Sequence, residues 1–310
     1  MLNLLHDCTR SGYPPEYLLS RIRGRMAAHI SGAHGVSTEN TTYQADDAVI
    51  WDAASEERRW IYLQMDDVLR QALAPLLFYF EINTIVLCLR NLEARQSGVM
   101  AVNCEKGLLS EELKEIVLAM DIPISIVLKL ERFMGHAGFD MDGLTTAYDG
   151  GGVQKCEELF RQRFLEQVPV VCSHPEVVNF FRRIIDLKNT LTMSKCLRWK
   201  KQEVPRLING GRLKLRKGDI VPTESGLKKM IRHFAVGSEA IGGDLNPVEL
   251  EPLLYAHLLK IMKRRMGSGD PVVCCIGYIW HCFIFTRKRS CDHHAGRFAE
   301  QINGSSGRMQ

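Results

Sequence analysis

The chain has 310 residues, of which 45% are apolar and 25% are charged, and its formal net charge is +4. This composition is ordinary for a folded soluble protein and favours a folded chain over a disordered one, while the length allows two or three helical units. A net charge this small identifies no class of partner. Ten cysteines, without a signal-peptide pattern after Met1, predict a cytosolic chain with reduced thiols.

Helical signals follow one another along nearly the whole chain. Apolar residues recur at helical spacing behind Pro14 and Pro15, and Ser55 is the predicted N-cap of the next helix. Pro75 begins a strongly apolar segment, and Ser110 is a further predicted cap. Later helices are predicted after the glycines at 150–152 and at Ser173, Pro175, Thr223, Pro247, Asp270 and Pro271. Because only residues 212–220 resemble a strand, the sequence predicts an all-α fold.

Three segments share one pattern, in which a proline is followed by an apolar run and then by basic residues. They begin at Pro75, Pro175 and Pro271, at nearly equal spacing. The first two also contain an acidic residue followed shortly by an Asn-Thr pair. Recurrence at this spacing predicts three helical units of about one hundred residues each. We place them at residues 1–100, 101–204 and 205–310.

The sequence contains no pattern typical of a catalytic or cofactor site. The glycine pairs and triplet do not match a phosphate-binding loop, and Gly-x-Ser-x-Gly is missing. We therefore expect no enzyme, no cofactor and no bound metal. The C-terminal cysteines and histidines lack good zinc-ligand spacing, although a metal or redox enzyme built on them is an alternative. The run from Val272 to Phe285 is too short to span a membrane and is predicted to be a buried helix.

Local basic charge is the main pointer to partners. Residues 195–217 hold nine basic residues against Glu203, and Trp199 lies among them, so a helical nucleic-acid-binding protein is an alternative function. A solvated loop and helix end is the simpler interpretation of this segment. Basic residues at helix ends are our candidates for a protein interface: Arg21, Arg25, Arg182, Arg183, Lys195 and Arg198. Arg21 and Arg25 adjoin an apolar stripe and are equally well interpreted as boundary residues that cover the core.

The order of several short motifs resembles the C-subunit (d-subunit) family of A-type and V-type rotary ATPases. Residues 17–26 are similar to the family's Tyr-x-x-Ala-Arg-x-Arg-x-Met opening, and residues 80–85 and 181–191 are similar to its aromatic-Asp-x-x-Asn-Ile element. Residues 207–213 resemble the Gly-Gly turn after the second unit. The last long helix departs from the family pattern, so the chain would be a divergent member.

This resemblance implies a fold and a function. The fold would be three similar helical units around a pseudo-threefold axis, forming a funnel. The function would be that of a non-catalytic socket between the central shaft and the membrane rotor ring, which couples proton or sodium transport to ATP hydrolysis or synthesis. The chain would be a peripheral protein on the cytoplasmic face of the membrane, without bound nucleic acid.

Overall fold

The computed structural model describes residues 4–8, 11–31, 47–94, 104–119, 121–200, 205–214, 222–234 and 247–306, without the side chains at 29–31, 47–50 and 292–306. Ten helices account for most of these residues. They are α1 (Pro15–Ser31), α2 (Asp47–Gln64), α3 (Asp67–Glu93), α4 (Glu111–Leu118), α5 (Pro123–His136), α6 (Leu144–Val171), α7 (Pro175–Arg198), α8 (Glu224–His233), α9 (Pro247–Met266) and α10 (Pro271–Ser306). Within the described ranges only an isolated bridge, between Leu5 and Leu109, is of β type. The predicted all-α class is confirmed.

Several helices begin where their capping residues predict. The Ser110 hydroxyl accepts a hydrogen bond from the backbone amide of Leu113, and the Thr223 hydroxyl accepts one from Gly226. The carboxylate of Asp270 accepts the amide of Val272 at 2.8 Å, at the start of α10. Each bond satisfies a backbone donor that has no partner within the helix.

One predicted N-cap is wrong, and the proline that begins one apolar segment lies inside a helix. Ser55 lies inside α2, where its hydroxyl donates to the carbonyl of Trp51 one turn earlier instead of capping. Pro75 lies inside α3, which begins eight residues earlier behind the cap Asp66. Burial of almost every residue around Pro75 stabilises the helix despite the lost backbone hydrogen bond. Helix α5, which starts at Pro123, was not predicted.

The glycine triplet interrupts α6 at a kink, and helical backbone resumes at Val153, as predicted. Gly152 has φ of +65°, a left-handed conformation that an L-residue adopts only with strain, and α6 continues on both sides of it. The strand-like stretch forms no strand over its described part, residues 212–214, and residues 215–220 lie outside the described ranges.

The last helices of the three predicted units, α3, α7 and α10, contact one another pairwise. Aromatic rings make each of these contacts. Tyr79 meets Phe181 at 5.8 Å between centroids, and Phe180 meets Trp280 at 5.4 Å. Phe80 meets Phe283 at 5.4 Å. Aromatic pairs at these distances stabilise beyond their buried area, so the centre of the protein is an aromatic core shared by three helices.

The remaining helices pack around this centre in a regular order. Helices α5 and α6 contact α3, while α8 and α9 contact α7. Helices α1 and α2, the first two in the chain, contact α10, the last. Each pair therefore packs on the long helix that precedes it when the chain is taken as a closed cycle, and α6 and α9 also contact the long helix that follows them. The predicted buried helix is confirmed, because residues 272–276 and 278–282 of α10 are buried.

Two buried acids hold the segments that follow their helices. Asp186 in α7 accepts the backbone amides of Arg212 and Leu213, each at 3.1 Å. Glu81 in α3 accepts the hydroxyl of Thr84 at 3.1 Å. Burial raises the pKa of Glu81, and the nearby backbone amide of Leu108 acts to lower it. The separation from Glu81 to Leu108 along the chain equals that from Asp186 to Leu213. Both acids therefore occupy the same place in a repeated arrangement of helix and following segment.

The Gly-Gly turn at 210–211 has a specific steric reason. Gly210 has φ of +93°, which favours glycine. A Cβ atom on Gly211 would lie 2.2 Å from Oδ1 of Asp186, so only glycine allows the backbone to come this close to the carboxylate. Asn189 fixes the same turn from the other side, because its side chain exchanges two hydrogen bonds with the backbone of Ile208. The two motifs singled out in the sequence thus contact each other.

Candidate partner interface

Arg21 and Arg25 project from α1 onto α2. Arg25 donates from Nη1 to Oε1 of Glu57 at 2.6 Å, and its guanidinium lies 4.0 Å from the centre of the Trp60 ring. Arg21 donates to Oε1 of Gln64 at 2.7 Å. Both arginines therefore make strong polar and cation–π contacts within the chain.

The same cluster reaches α10. The hydroxyl of Tyr278 donates to Oε2 of Glu57, so that one carboxylate connects α1, α2 and α10. Burial, followed by nearby Cys282 and Glu57, raises the pKa of Tyr278, which keeps the phenol protonated as a donor. These contacts fit the boundary-residue interpretation of Arg21 and Arg25. Both side chains remain partly exposed, and their contact with a partner stays a prediction.

The other four candidate residues lie on α7. Arg182 is exposed, whereas Arg183 is half-buried in the seam between α7 and α9. Lys195 and Arg198 are exposed in the last turn of α7, where positive charge also interacts favourably with the helix dipole. Hydrogen bonds and ion pairs within the described residues do not join these four to Arg21 or Arg25. The structure therefore divides the predicted interface between two helices.

Trp199 extends the exposed end of α7. Its side chain is 60% exposed and follows directly after Arg198. An exposed tryptophan among basic residues is a common element of protein and nucleic-acid interfaces, because it combines a large apolar area with local positive charge. The flanking positions 201–204 and 215–220 of the basic segment lie outside the described ranges.

A groove that the sequence did not indicate lies between the starts of α3 and α7 and the end of α5. Its walls come from three helices and the α6–α7 turn, and they are lined by Val68, Gln71, Ala72, Pro75, His136, Ala137, Val171, Cys172, Ser173 and His174. Val68 is 76% exposed and Val171 is also exposed, so the rim is partly apolar. Sequence patterns locate each helix but not the meeting of three of them, which is why this groove was missed.

The cysteines form no disulfide within the described part of the chain. In α10, Cys274, Cys275 and Cys282 are buried, while Cys291 is exposed. Burial raises the pKa of Cys282 to about 12, and that of Cys275 is raised for the same reason. Among the described side chains no three of His, Cys, Asp and Glu lie close enough to hold a metal ion; those of His293 and His294 lie outside this set.

Helix α3 is the one described helix that is long and apolar enough to cross a membrane. Most of its apolar stretch is buried by the surrounding helices, 78% of it by residue. Its apolar character is therefore accounted for by its place in the aromatic core.

No protein-family model matches the chain. No curated protein matches its sequence either. The resemblance to the rotary ATPase family therefore rests on the sequence motifs.

Proposed function

We propose that this chain is a non-catalytic socket subunit of an A-type or V-type rotary ATPase. In this role it joins the central shaft to the membrane rotor ring and thereby couples proton or sodium transport to ATP hydrolysis or synthesis. It acts at the cytoplasmic face of the membrane as a peripheral protein. Its partners are the shaft subunits and the ring, and it contributes no catalytic group or cofactor.

The observation that carries the proposal is the cyclic packing of the helices. Three pairs, α1–α2, α5–α6 and α8–α9, pack on α10, α3 and α7 respectively, which contact one another, and α6 and α9 also contact the long helix that follows them. This order is what three similar units around a pseudo-threefold axis would produce. The unit boundaries near residues 101 and 205 fall between α3 and α4 and between α7 and α8.

The repeated acid supports the same arrangement. The number of residues from Glu81 to Leu108 equals the number from Asp186 to Leu213. The last residues of α3 and α7, Glu93 and Arg198, are as far apart in the sequence as the two acids are. Pro75 and Pro175 do not match in this alignment, since the former is inside a helix and the latter begins one. The repeat is therefore supported by the acids and helix ends rather than by the prolines.

A rotor socket transmits torque, so it needs broad contact surfaces rather than one small pocket. Interfaces that persist bury roughly 1,200–2,000 Å² and concentrate their energy in aromatic residues and arginines. The chain offers the exposed end of α7, with Lys195, Arg198 and Trp199, and the apolar-rimmed groove beside Val68. We propose these two surfaces as the contacts to shaft and ring.

The test is affinity purification of the tagged chain from its source membranes, followed by cross-linking and mass spectrometry. We expect shaft and rotor-ring subunits to be cross-linked to it in a stoichiometric complex, and Trp199→Ala with Arg198→Glu to reduce their recovery. Intact rotary ATPase purified from the same membranes without this chain would refute the proposal.

A second candidate function is binding of single-stranded nucleic acid by the segment around Trp199. The exposed indole beside Lys195 and Arg198 favours it, since stacking on an aromatic ring and phosphate contacts act together in such sites. Fluorescence anisotropy with a labelled oligonucleotide separates the two functions. Binding that weakens steeply with salt and is lost in Trp199→Ala would favour nucleic acid.

A further inference from the structure

A group of basic side chains lines the seam between α7 and α9, and none of the functions above uses it. Arg183 lies in the seam on α7, and His257 faces it from α9. Lys260 and Arg264 follow on α9, and Arg212 approaches from the Gly-Gly turn. We call these five residues the basic seam. Phe234 at the end of α8 packs on His257, with ring centroids 6.3 Å apart, and closes one side.

The acids near the basic seam are already engaged. At one end Glu176 forms an ion pair with Arg265. At the other end Asp186 accepts two backbone amides and lies 3.6 Å from Nε2 of His233. Arg183 sits between these two acids along α7, and its guanidinium forms no hydrogen bond or ion pair with any residue that the structure describes. The half-buried Arg25, in contrast, is paired with an acid.

Positive charges are crowded at this place. Burial lowers the pKa of Arg183, and the neighbouring Arg212 and Arg265 lower it further. Burial also lowers the pKa of His257, and Arg183, Lys260 and Arg264 act in the same direction. Repulsion between partly desolvated charges destabilises the folded protein unless an anion offsets it. Asp186 and Glu176 act in the opposite direction on the pKa of Arg183, and burial and the two arginines outweigh them. Such a cluster of basic groups in a seam is typical of a binding site.

We propose that the basic seam binds a small anion that carries phosphate monoester groups. Arginine presents a planar fork of donors that matches phosphate oxygens, and lysine adds a point charge. Arg212, Lys260 and Arg264 add three positive charges to that of Arg183. One carboxylate would offset only one of these charges, whereas a phosphate monoester carries up to two negative charges and offsets more of them. The half-buried position of Arg183 suits a compact group entering between two helices. The ligand is free in solution, as an inositol phosphate is, or is the headgroup of a phosphoinositide.

This inference is independent of the rotary ATPase proposal, because the basic seam exists in the isolated chain. The experiment uses the purified full chain and two probes. Titration calorimetry measures binding of soluble inositol trisphosphate, and sedimentation measures binding to phosphatidylcholine vesicles that contain phosphatidylinositol bisphosphate. Equal affinity for the two probes identifies the free compound as ligand, and tighter binding to the vesicles identifies the lipid headgroup.

Arg183→Gln and Arg182→Gln form a matched pair of variants. They remove the same side chain at adjacent positions, one inside the seam and one exposed on another face. We expect Arg183→Gln to weaken binding of the probe at least about tenfold and Arg182→Gln to leave it nearly unchanged, because loss of a hydrogen bond between charged groups has at least this effect. Equal weakening by both variants would mean diffuse attraction and would overturn the proposal, as would no binding of either probe.

Thermal unfolding adds a readout that a purely structural arginine would not give. Without ligand, Arg183→Gln is expected to unfold at the same temperature as the original protein or higher, because it removes repulsion. With inositol trisphosphate, the original protein should gain stability and the variant should not. A variant that unfolds at markedly lower temperature without ligand would show that Arg183 holds the fold together and would contradict the inference.

Discussion

Replacing Gly211 by alanine tests the contact between the Gly-Gly turn and α7. The new methyl group would lie 2.2 Å from Oδ1 of Asp186 and 3.2 Å from Cγ2 of Ile185. Asp186 is buried and cannot swing away without releasing the backbone amides of Arg212 and Leu213. Overpacking of this kind costs about 1–3 kcal/mol, and losing hydrogen bonds to a charged group costs about 1.5–3 kcal/mol. We expect Gly211→Ala to lower the free energy of unfolding by about 3–5 kcal/mol.

The assay is urea unfolding followed by circular dichroism, with Gly24→Ala as the control. Gly24 lies on α1 with open space around the position of its Cβ, so the same substitution there should stabilise the protein by about 0.5–1 kcal/mol. A double-mutant cycle then assigns the cause. In an Asp186→Ala background the clashing oxygen is gone, and Gly211→Ala should cost much less than in the original protein. An unchanged cost in that background would refute the reasoning.

Three further changes are expected to have measurable effects. Arg25→Glu places an acid against Glu57 and should reduce unfolding free energy by about 2–3 kcal/mol, measured by urea denaturation. Burial raises the pKa of Glu81 above its usual 4.5. The free energy of unfolding should therefore fall as the pH rises from that value to the higher pKa of the folded protein. Thermal melts at several pH values should show this dependence, and Glu81→Gln should flatten it. Iodoacetamide at pH 8 should modify exposed Cys291 long before buried Cys282, whose pKa is about 12, as mass spectrometry of peptides would show.

Each of these has a control within the chain. Arg23→Glu changes an exposed residue on the same helix as Arg25 and should leave stability nearly unchanged. Glu115→Gln removes a carboxylate from an exposed position and should not alter the pH dependence. Adding denaturant should make Cys282 react as fast as Cys291. If Arg25→Glu proved as harmless as Arg23→Glu, the Glu57 contact would not hold α1 in place.

The all-α class could be predicted because local chemistry decides it. Caps such as Ser110, Thr223 and Asp270 satisfy backbone donors regardless of the rest of the molecule, and the apolar spacing of α1 and α7 marks a buried face. Predictions went wrong where tertiary packing outweighed a local signal. Pro75 disfavours a helix interior, yet the surrounding buried residues keep α3 continuous across it.

The candidate interface could be predicted only as a set of basic residues at expected helix ends. That placement is correct for Lys195 and Arg198 and wrong for the other four, which lie within α1 and α7. The sequence placed Arg21 and Arg25 on one face of α1, as found, but it did not show that Glu57, Trp60 and Tyr278 would meet them from two other helices. Contacts between residues far apart in the chain leave no local pattern. For the same reason Arg182 and Arg183 look equivalent in the sequence, although packing leaves the first exposed and encloses the second.

The docking of α1 and α2 on α10 has a consequence for how the chain folds during synthesis. Because seven helices separate α2 from α10, the apolar faces of α1 and α2 stay uncovered during synthesis until α10 has followed them. Contacts of such high sequence separation form slowly and expose early segments to aggregation or chaperone binding. A circular permutant that opens the chain between α7 and α8 would make α1, α2 and α10 neighbours in synthesis. It should refold faster while keeping the same set of helix contacts.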